Sequence, residues 1–368
     1  MRFAIKNLLR RGVRSALSVL GVAVGVAAIV AFTAMGEGFK VSIDKYGRQS
    51  GADLVLVEDN AGDPAFGRIL EEELDAMRAH SDIRSVAGSI VMPATVPGRS
   101  APLFVAGRDP DEDLILVYRN PALRGRLLET EDEILVGAIA AQELGLDLGD
   151  SMELLRRSFI VVGVYESSVQ WENGGIVAHS NVLRSQLTMP PGSVMVAFLY
   201  LEEESDVALV TLDLQSQFPH LRVLPTAFLS AGFEQLAYID SFIWVISLAA
   251  LLVGAIGVLN TMLMTVSERT REIGTLRAFG WRSSMVMRLI LAEGLVTALV
   301  GGLCGSALGW VAAELLMRLV PQGLLEAHYS PAVFLRGMAI ALVVGILGAL
   351  YPAWRASRLL PAEALRYE

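Results

Sequence analysis

Residues 241–267 read SFIWVISLAALLVGAIGVLNTMLMTVS, a run of 27 residues without a charged side chain. As an α-helix rising about 1.5 Å per residue, this run is longer than the hydrocarbon core of a bilayer is thick, about 30 Å. Three further uncharged runs of 18 to 22 residues can cross the same core: Ser15–Gly36, Gly294–Ala313 and Gly337–Trp354. The pattern predicts a membrane protein with four transmembrane α-helices, one before and three after a long intervening segment.

The intervening segment, Glu37–Asp240, has the composition of a water-exposed domain. The chain of 368 residues is 53% hydrophobic and 19% charged, which is too apolar for an average soluble domain. Its formal net charge of −9 divides into −17 for residues 37–240 and +8 for the remainder. A surface of that sign repels phosphates, which argues against a nucleic-acid partner. The 204 residues of this segment are enough to build their own hydrophobic core.

Basic residues indicate how the helices are oriented. Thirteen lysines and arginines lie in the N-terminal tail, in the connection between the second and third helices and in the C-terminal tail. Two, Arg318 and Arg336, flank the loop between the third and fourth helices. The positive-inside rule then places both termini in the cytoplasm and residues 37–240 outside it. A cleaved signal peptide at residues 15–36 is the alternative, although its apolar run is longer than the usual run of about 7–15 residues.

These assignments predict an order of segments in the plasma (inner) membrane. From the N-terminus they are a cytoplasmic amphipathic helix (1–14), a first transmembrane helix (15–36), an extracytoplasmic domain with stalk helices (37–240), a second transmembrane helix (241–267), a cytoplasmic loop (268–288), a third transmembrane helix (289–316), a short external loop (317–335), a fourth transmembrane helix (336–354) and a cytoplasmic tail (355–368).

The extracytoplasmic segment mixes strand and helix patterns, which predicts a large α+β domain of one or two lobes. Short runs rich in Val and Ile, bounded by turn residues, predict strands at Gly51–Val57, Ser89–Val96, Pro102–Ala106, Ser158–Tyr165 and Val194–Leu201. Helical patterns cover Arg68–His80 and Glu133–Leu144. At the ends, Glu37–Arg48 continues the first helix and Thr226–Asp240 leads into the second. We expect two adjacent helices that carry the domain as a stalk.

No residue pattern predicts catalysis. The four histidines are scattered, and none lies at metal-ligand spacing from another or from the single cysteine, Cys304. We expect Cys304 to be a small buried thiol in the third span. Acidic runs such as Glu202–Glu204 could bind a cation, but a solvated acidic face is the favoured interpretation. We therefore expect no metal or cofactor to be bound by this chain.

The lysines indicate where ATP can be hydrolysed. A phosphate-binding P-loop requires Gly-Lys-Ser or Gly-Lys-Thr, and none of the three lysines, Lys6, Lys40 and Lys45, follows a glycine. The chain is therefore not expected to be an ATPase. Any ATP-driven role predicts that ATP and Mg²⁺ are bound by a separate subunit.

The connection between the second and third helices contains more than a positively charged anchor needs. Residues 266–288, VSERTREIGTLRAFGWRSSMVMR, interleave Glu268 and Glu272 with arginines and with apolar residues such as Ile273 and Phe279. An anchor that only retains the chain needs neither the acids nor the apolar residues. The pattern therefore favours an amphipathic helix that docks on a cytoplasmic partner.

Small and polar residues within the spans indicate helix packing. Glycines at four-residue spacing allow helix backbones to approach closely, although glycine is also common in transmembrane helices generally. They are Gly21 and Gly25 in the first helix and Gly301, Gly305 and Gly309 in the third. Asn260 and Thr261 in the second helix are expected to bond to a neighbouring helix or to backbone. Glu293 is expected to reach the cytoplasmic interface or to pair with Arg288.

Three stretches carry a resemblance to a known family. They are VGAIGVLNTMLMTV followed by SERTREIGTLRAFGWR (253–282), the ending YPAWRASRLLPAEALRYE (351–368) and the start FAIKNLLRRGVRSALSVLGVAVGVA (3–27). They closely resemble the permease segments of FtsX-like and macrolide-exporter MacB-like ABC transporter subunits. In the intervening domain the resemblance is carried mainly by LGLDLGDSMELLRRSFIVVGVYES, which begins at Leu144.

The resemblance implies a homodimer, or a pair with a homologous permease, bound to cytoplasmic ABC ATPase subunits that hold the ATP and Mg²⁺. The loop after the second span would be the coupling helix in the ATPase groove. The implied contact residues are Glu268, Arg269, Thr270, Arg271, Glu272, Gly274, Leu276, Arg277 and Gly280. ATP-driven closure would then move the membrane helices, and the stalk would carry the motion to the extracytoplasmic domain.

Two roles remain open at this point. An exporter of this family would work with a membrane-fusion protein and export or extract a peptide, antibiotic, lipid or lipoprotein. The 368 residues contain no ATPase domain like the one fused to the macrolide exporter, which puts a macrolide substrate in doubt. The alternative is an FtsX-like signalling subunit that regulates an extracytoplasmic partner such as a cell-wall hydrolase.

Overall fold

The computed structural model divides the protein into two compact units. The helical unit consists of Met1–Gly36, Asp240–Leu316 and Ala327–Glu368, and the sheet unit consists of Glu37–Ile239 and Met317–Glu326. The predicted amphipathic helix at 1–14 and the tail at 355–368 lie largely outside the residues that the structure describes. The structure describes residues 12–59, 67–96, 102–232, 235–319 and 326–359.

Helices and strands follow one another in the order predicted for a membrane protein with one large inserted domain. The α-helices are α1 (Gly12–Gln49), α2 (Glu71–Arg78), α3 (Ala138–Leu144), α4 (Gln170–Asn173), α5 (Ser180–Leu187), α6 (Val207–Gln217), α7 (Gln235–Glu268), α8 (Thr270–Ala278), α9 (Ser283–Leu319) and α10 (Pro331–Ser357). The strands are β1 (Leu54–Glu58), β2 (Ile83–Ala94), β3 (Leu103–Arg108), β4 (Arg124–Gly125), β5 (Glu133–Gly137), β6 (Ser151–Leu154), β7 (Arg157–Tyr165), β8 (Ile176–His179), β9 (Val196–Leu201) and β10 (Leu221–Pro225).

Four of the described helices, α1, α7, α9 and α10, are long and apolar enough to cross a membrane. One of them precedes the strands and three follow, which confirms the predicted fold class of four apolar helices with a large inserted domain of helices and strands. Helix α1 continues past Gly36 to Gln49 without a break. Residues 37–49 of this helix belong to the sheet unit, so one helix has residues in both units.

Within the helical unit, α9 packs on α1 through glycines. A Cβ atom added at Gly305 would lie 2.6 Å from the carbonyl oxygen of Ala23, and one at Gly309 would lie 2.7 Å from that of Ala27. Gly301 faces the same helix at a similar distance. Close backbone contact of this kind drives helix association in lipid, where apolar side chains gain nothing by exchanging lipid for one another.

The two predicted packing glycines of α1 have different surroundings. A Cβ added at Gly25 would lie 3.2 Å from the side chain of Ala250 on α7. At Gly21, in contrast, nothing lies within 4 Å of the added atom. Gly25 is therefore at a helix contact, whereas Gly21 has room for a side chain.

The expectations for three residues of the spans, Asn260, Thr261 and Cys304, have different outcomes. Thr261 accepts a hydrogen bond from Ser18 of α1 at 2.5 Å, as expected, whereas Asn260 is exposed on α7. Successive residues point about 100° apart around a helix, so only one of the two can face α1. Cys304, expected to be buried, is exposed on α9.

The described strands form one mixed sheet in the order β10-β1-β9-β2-β3-β8-β5-β7-β4, with β6 paired to β7. The pairs β3–β8 and β5–β7 are parallel, and the other pairs are antiparallel. The long strand β2 joins two halves of the sheet, because residues 83–89 pair with β9 and residues 90–94 pair with β3. Helices α2 and α6 cover one half and α3 and α5 the other.

Each predicted strand overlaps an observed one, but the predicted helix over Glu133–Leu144 is wrong in its first half. Strand β5 takes Glu133–Gly137, and helix α3 begins at Ala138. The strand lies between β8 and β7, and its side chains at 134–136 are fully buried. A short apolar run of this kind does not distinguish a buried strand from a helix. The segment Thr226–Asp240, predicted to lead into the second transmembrane helix, begins as a 3₁₀ helix at Thr226–Gly232, and α7 begins only at Gln235.

The contact between α9 and α1 leads to a prediction for Gly305→Ala. The added methyl would overlap the backbone of α1, so we expect the variant to lose about 1–3 kcal/mol of stability. Gly21→Ala is the matched control, because its methyl meets open space and alanine is the better helix former. Thermal unfolding of the full chain in detergent measures both. Equal midpoints for the two variants would contradict the packing described here.

Candidate coupling site

The connection between α7 and α9 folds as the short helix α8, which is bounded by a break at each end. Arg269 has φ −103° and ψ 13°, which ends α7 and allows α8 to start at Thr270. At the other end Gly280 has φ +89°, a left-handed conformation that glycine adopts without strain. The amide of Trp281 then donates to the carbonyl of Leu276 at 3.1 Å, as in glycine-terminated helices.

One face of α8 is fixed to the helical unit. Ile273 is 1% exposed and packs in a cluster with Val266 of α7, Val286 of α9 and Ala353 of α10. Gly274 is buried beside it. Helix α8 is therefore held by the ends of three long helices, so that a force on α8 acts directly on them.

The opposite face of α8 is open to solvent. Arg271, Thr275, Ala278 and Phe279 are exposed and have the spacing of one helical face. Phe279, which directly precedes the helix-ending Gly280, is 82% exposed. We call Arg271, Thr275, Ala278 and Phe279 the docking face. It combines an aromatic ring with a cation, the side-chain types most enriched at the centres of protein interfaces.

The nine residues predicted to contact a partner differ in their accessibility. The exposed members are Glu268, Arg271, Glu272 and Gly280; the half-buried members are Arg269, Thr270, Leu276 and Arg277; Gly274 is buried. The contact role of this set remains a prediction. Gly274 is the member least available to a partner, because it is buried on the face that packs on the long helices.

Arg269 turns away from the docking face and forms a buried ion pair. Its Nη1 atom lies 2.8 Å and 3.1 Å from the two carboxylate oxygens of Glu293 on α9, and its Nε donates to Glu272 at 2.9 Å. The side chains of Arg269 and Glu293 are 12% and 7% exposed. The expected pairing of Glu293 with Arg288 is therefore wrong. Residues five apart point about 140° away from each other around a helix.

Sequence reasoning missed two features of this site. Phe279 lies outside the predicted contact set, although a large aromatic residue directly before a helix-ending glycine was a usable signal. The Arg269–Glu293 pair had no such signal, because its members are 24 residues apart and meet only when α9 folds back against α8.

Titratable groups of the sheet unit form pairs. His80 Nε2 lies 2.9 Å from Asp213, and His220 Nε2 lies 2.6 Å from Glu73. The hydrogen bond from His80 lowers the pKa of Asp213. Within the described ranges, no group of three or more His, Cys, Asp or Glu side chains is arranged to hold a metal ion.

Four apolar helices, a short amphipathic helix between the second and the third, and a large α+β insertion between the first and the second define a class of multi-pass membrane proteins with an extracytoplasmic segment. Residues 15–216 match the family model described as MacB-like periplasmic core domain, and residues 244–361 match the FtsX-like permease C-terminal model. The chain belongs to this MacB/FtsX-like family of ABC transporter permeases.

Individual proteins of known sequence or structure are similar to this chain. The chain is 27% identical to the macrolide export ATP-binding/permease protein MacB of Nitrobacter winogradskyi, over 99% of this chain but 59% of that protein. It is 26% identical to the uncharacterized ABC transporter permease YknZ of Bacillus subtilis, over 100% of this chain and 98% of that protein. The crystal structure of the periplasmic region of MacB from Actinobacillus actinomycetemcomitans covers 51% of this chain, and the match spans 95% of that region, with 14% identity and a TM-score of 0.39.

The ion pair predicts a large difference in stability between alanine substitutions at Arg269 and at Arg271, although the two arginines are only two residues apart in the sequence. Arg269→Ala removes a cation that bonds to both carboxylate oxygens of the buried Glu293, so we expect a loss of about 3–5 kcal/mol in the free energy of unfolding. Arg271→Ala removes an exposed charge and should change stability by about 0.5 kcal/mol or less. Denaturant unfolding in detergent tests this. A combined Arg269→Ala and Glu293→Ala variant as unstable as the sum of the single variants would refute the coupling.

Proposed function

We propose that this chain is the permease subunit of an ABC transporter complex. In this proposal the docking face of α8 seats in a separate cytoplasmic ATPase subunit, and ATP hydrolysis there drives motion of the sheet unit outside the cytoplasm. The docking face is the observation that carries the proposal. An 82% exposed phenylalanine on the same face as an exposed arginine, on a helix anchored by its other face, has the form of a contact surface with a protein.

The orientation we propose places both termini and α8 in the cytoplasm. Aromatic side chains support the limits of the spans, since tyrosine and tryptophan concentrate at membrane interfaces. Tyr351 and Trp354 lie exposed near the C-terminal end of α10, and Arg358 stacks on Trp354 at 4.3 Å from its ring centre. Tyr238 and Trp244 are exposed near the start of α7. The basic residues are concentrated at the ends of the spans that carry α8 and the termini.

We further propose that the motion passes along α1, which is one helix from its apolar run to Gln49. The work performed outside would be the export or extraction of a peptide, antibiotic, lipid or lipoprotein, in keeping with the export named for MacB. Co-purification in mild detergent tests this role. A membrane-fusion protein among the partners supports export, and a cell-wall hydrolase in its place would support the signalling role.

A second copy of the chain completes the membrane part of this proposal. In the most apolar 18-residue stretch of α7, only 17% is buried, whereas 39–44% of the corresponding stretch is buried in each of the other three spans. Val253, Ile256 and Asn260 are exposed on this helix, and nothing lies within 4 Å of a Cβ added at Gly257. An amide at this depth in lipid needs a hydrogen-bonding partner. The matching Asn260 of a second copy would supply it.

The docking face predicts which cytoplasmic substitutions uncouple the ATPase. We expect Phe279→Ala or Arg271→Glu to reduce the stimulation of the co-purifying ATPase by this permease about tenfold or more, because each removes an anchor of the contact. Arg288→Glu is the matched control, since it reverses an exposed charge outside the docking face. Steady-state ATP hydrolysis in nanodiscs measures the effect, and thermal unfolding checks that the variants are folded. Undiminished stimulation in both variants would reject the assignment.

The exposed face of α7 predicts a cross-linking pattern. With Cys304→Ser as background, Val253→Cys should form disulfide-linked dimers in native membranes under mild oxidation, because the same face would meet itself across a two-fold axis. Leu335→Cys, exposed on α10, is the control and should remain monomeric. Dimers of similar yield from both positions would show random collision rather than a defined contact.

A further inference from the structure

The last turn of α1 ends on buried polar groups of the sheet unit. Tyr46 and Gln49 lie three residues apart on one face of that turn. Opposite them are Arg108 at the end of β3 and Glu172 in α4, which are 1% and 2% exposed. Fully buried charges are rare and unfavourable unless they are paired and hydrogen-bonded. We call Tyr46, Gln49, Arg108 and Glu172 the joint.

Arg108 holds the tyrosine of the joint. Its Nη2 atom donates to the Tyr46 hydroxyl at 2.5 Å, and its Nη1 atom donates to the Ser89 hydroxyl at 2.7 Å and to the carbonyl of Gly107 at 3.0 Å. Burial disfavours its charge, but interactions with Tyr46 and neighbouring groups hold the pKa of Arg108 above its ordinary value. The guanidinium therefore stays charged, and its hydrogen bonds are of the strong, charge-assisted kind.

Glu172 holds the glutamine of the joint. Its carboxylate accepts from Gln49 Nε2 at 3.0 Å, from the Ser167 hydroxyl at 2.6 Å and from the Tyr118 hydroxyl at 2.8 Å. The side-chain oxygen of Gln49 accepts in turn from the amide of Ser168 at 3.2 Å and from its hydroxyl at 2.6 Å. Both ends of one amide are thus bonded to the segment around α4, which fixes the rotation of the last turn of α1.

A small cavity lies between the two charges. Arg108, Glu172, Tyr46 and Gln49 are among the residues that line it, and its volume is about 10 Å³. The Nε atom of Arg108 has no hydrogen-bond partner among the described residues. A cavity of this size has room for one water molecule with polar partners on several sides. A water there would accept from Nε and donate to the carboxylate, linking the two charges of the joint.

The two charges of the joint reach neighbouring strands. Arg108 ends β3, and α4 with Glu172 directly precedes β8, which pairs with β3 in parallel. We propose that the joint is the point at which a displacement of α1 enters the sheet, with Arg108 and Glu172 acting as positioning residues for that transmission. This rests on the proposed function, in which α1 carries the motion.

Hydrogen exchange of the full chain in lipid nanodiscs tests the mechanical part. Gln49→Ala should raise the exchange rate of the amides at residues 43–50 about tenfold, because it removes the bonds to Glu172 and Ser168. The amides of β1 and β9 should keep their rates. Gln217→Ala is the matched control, since it truncates the last residue of another sheet-unit helix, α6, whose side chain bonds only locally to Asp213.

Two results would overturn the joint. One is an unchanged exchange rate at residues 43–50 in Gln49→Ala and also in Arg108→Met, a variant that removes the hydrogen bonds made by the Arg108 side chain. The other is an equal rise throughout β1 and β9, which is the effect of general destabilisation rather than of a released helix end. If Arg108→Met fails to fold, the Gln49→Ala result decides.

The transmission itself is tested with the co-purifying ATPase present. On addition of ATP with vanadate, exchange in β3 and β8 should change in the wild type and remain unchanged in Gln49→Ala, while stimulation of the ATPase stays within about twofold. No change in wild-type β3 and β8 would overturn the joint. If the wild-type permease does not stimulate the ATPase at all, the proposed function is refuted instead. The exchange result for residues 43–50, measured without the ATPase, would still stand.

Discussion

The close contact between α9 and α1 is the constraint on which the rest of the structure depends. Apolar side chains gain nothing by leaving lipid for each other, so the helices must associate through backbone contact and a few hydrogen bonds. Gly305 and Gly309 provide that contact against Ala23 and Ala27. Helix α1 contains no proline, and its hydrogen-bonded backbone runs unbroken to Gln49. The residues that α9 holds and the residues that the joint holds therefore belong to one continuous helix.

The coarse architecture follows from the sequence because it depends on one-dimensional quantities. A run without charges either is or is not long enough to cross lipid, and runs such as 241–267 leave little ambiguity. Finer features depend on neighbours that the sequence does not reveal. The run at 133–137 becomes a strand because β8 and β7 bury it from both sides. The choice between Asn260 and Thr261 as the interhelical contact depends on a rotation of α7 that only packing determines.

The candidate site divides in the same way. The amphipathic pattern of residues 266–288 predicted a helix, and the helix-ending Gly280 follows from its ordinary turn chemistry. Which of the charged residues face outwards could not be predicted, since helix α8 is short and its arginines have no strict period. Nothing in the sequence distinguishes Arg269 from Arg271. Arg269 differs physically because its guanidinium lies beside a carboxylate that α9 removes from solvent.

Two buried arginines thus mark the two ends of the proposed path of force. Replacing buried charges with well-packed apolar residues is often neutral or stabilising, so stability alone gives little reason to keep the Arg269–Glu293 pair or the two hydrogen-bonded charges of the joint. Apolar contacts, however, have no preferred direction and allow one element to slide over another. A bidentate or multiply hydrogen-bonded ion pair permits one geometry and resists both rotation and sliding. A path that has to pass on a displacement rather than absorb it needs that resistance at its ends, and the Arg269–Glu293 pair and the hydrogen-bonded charges of the joint lie at the two ends of the proposed path.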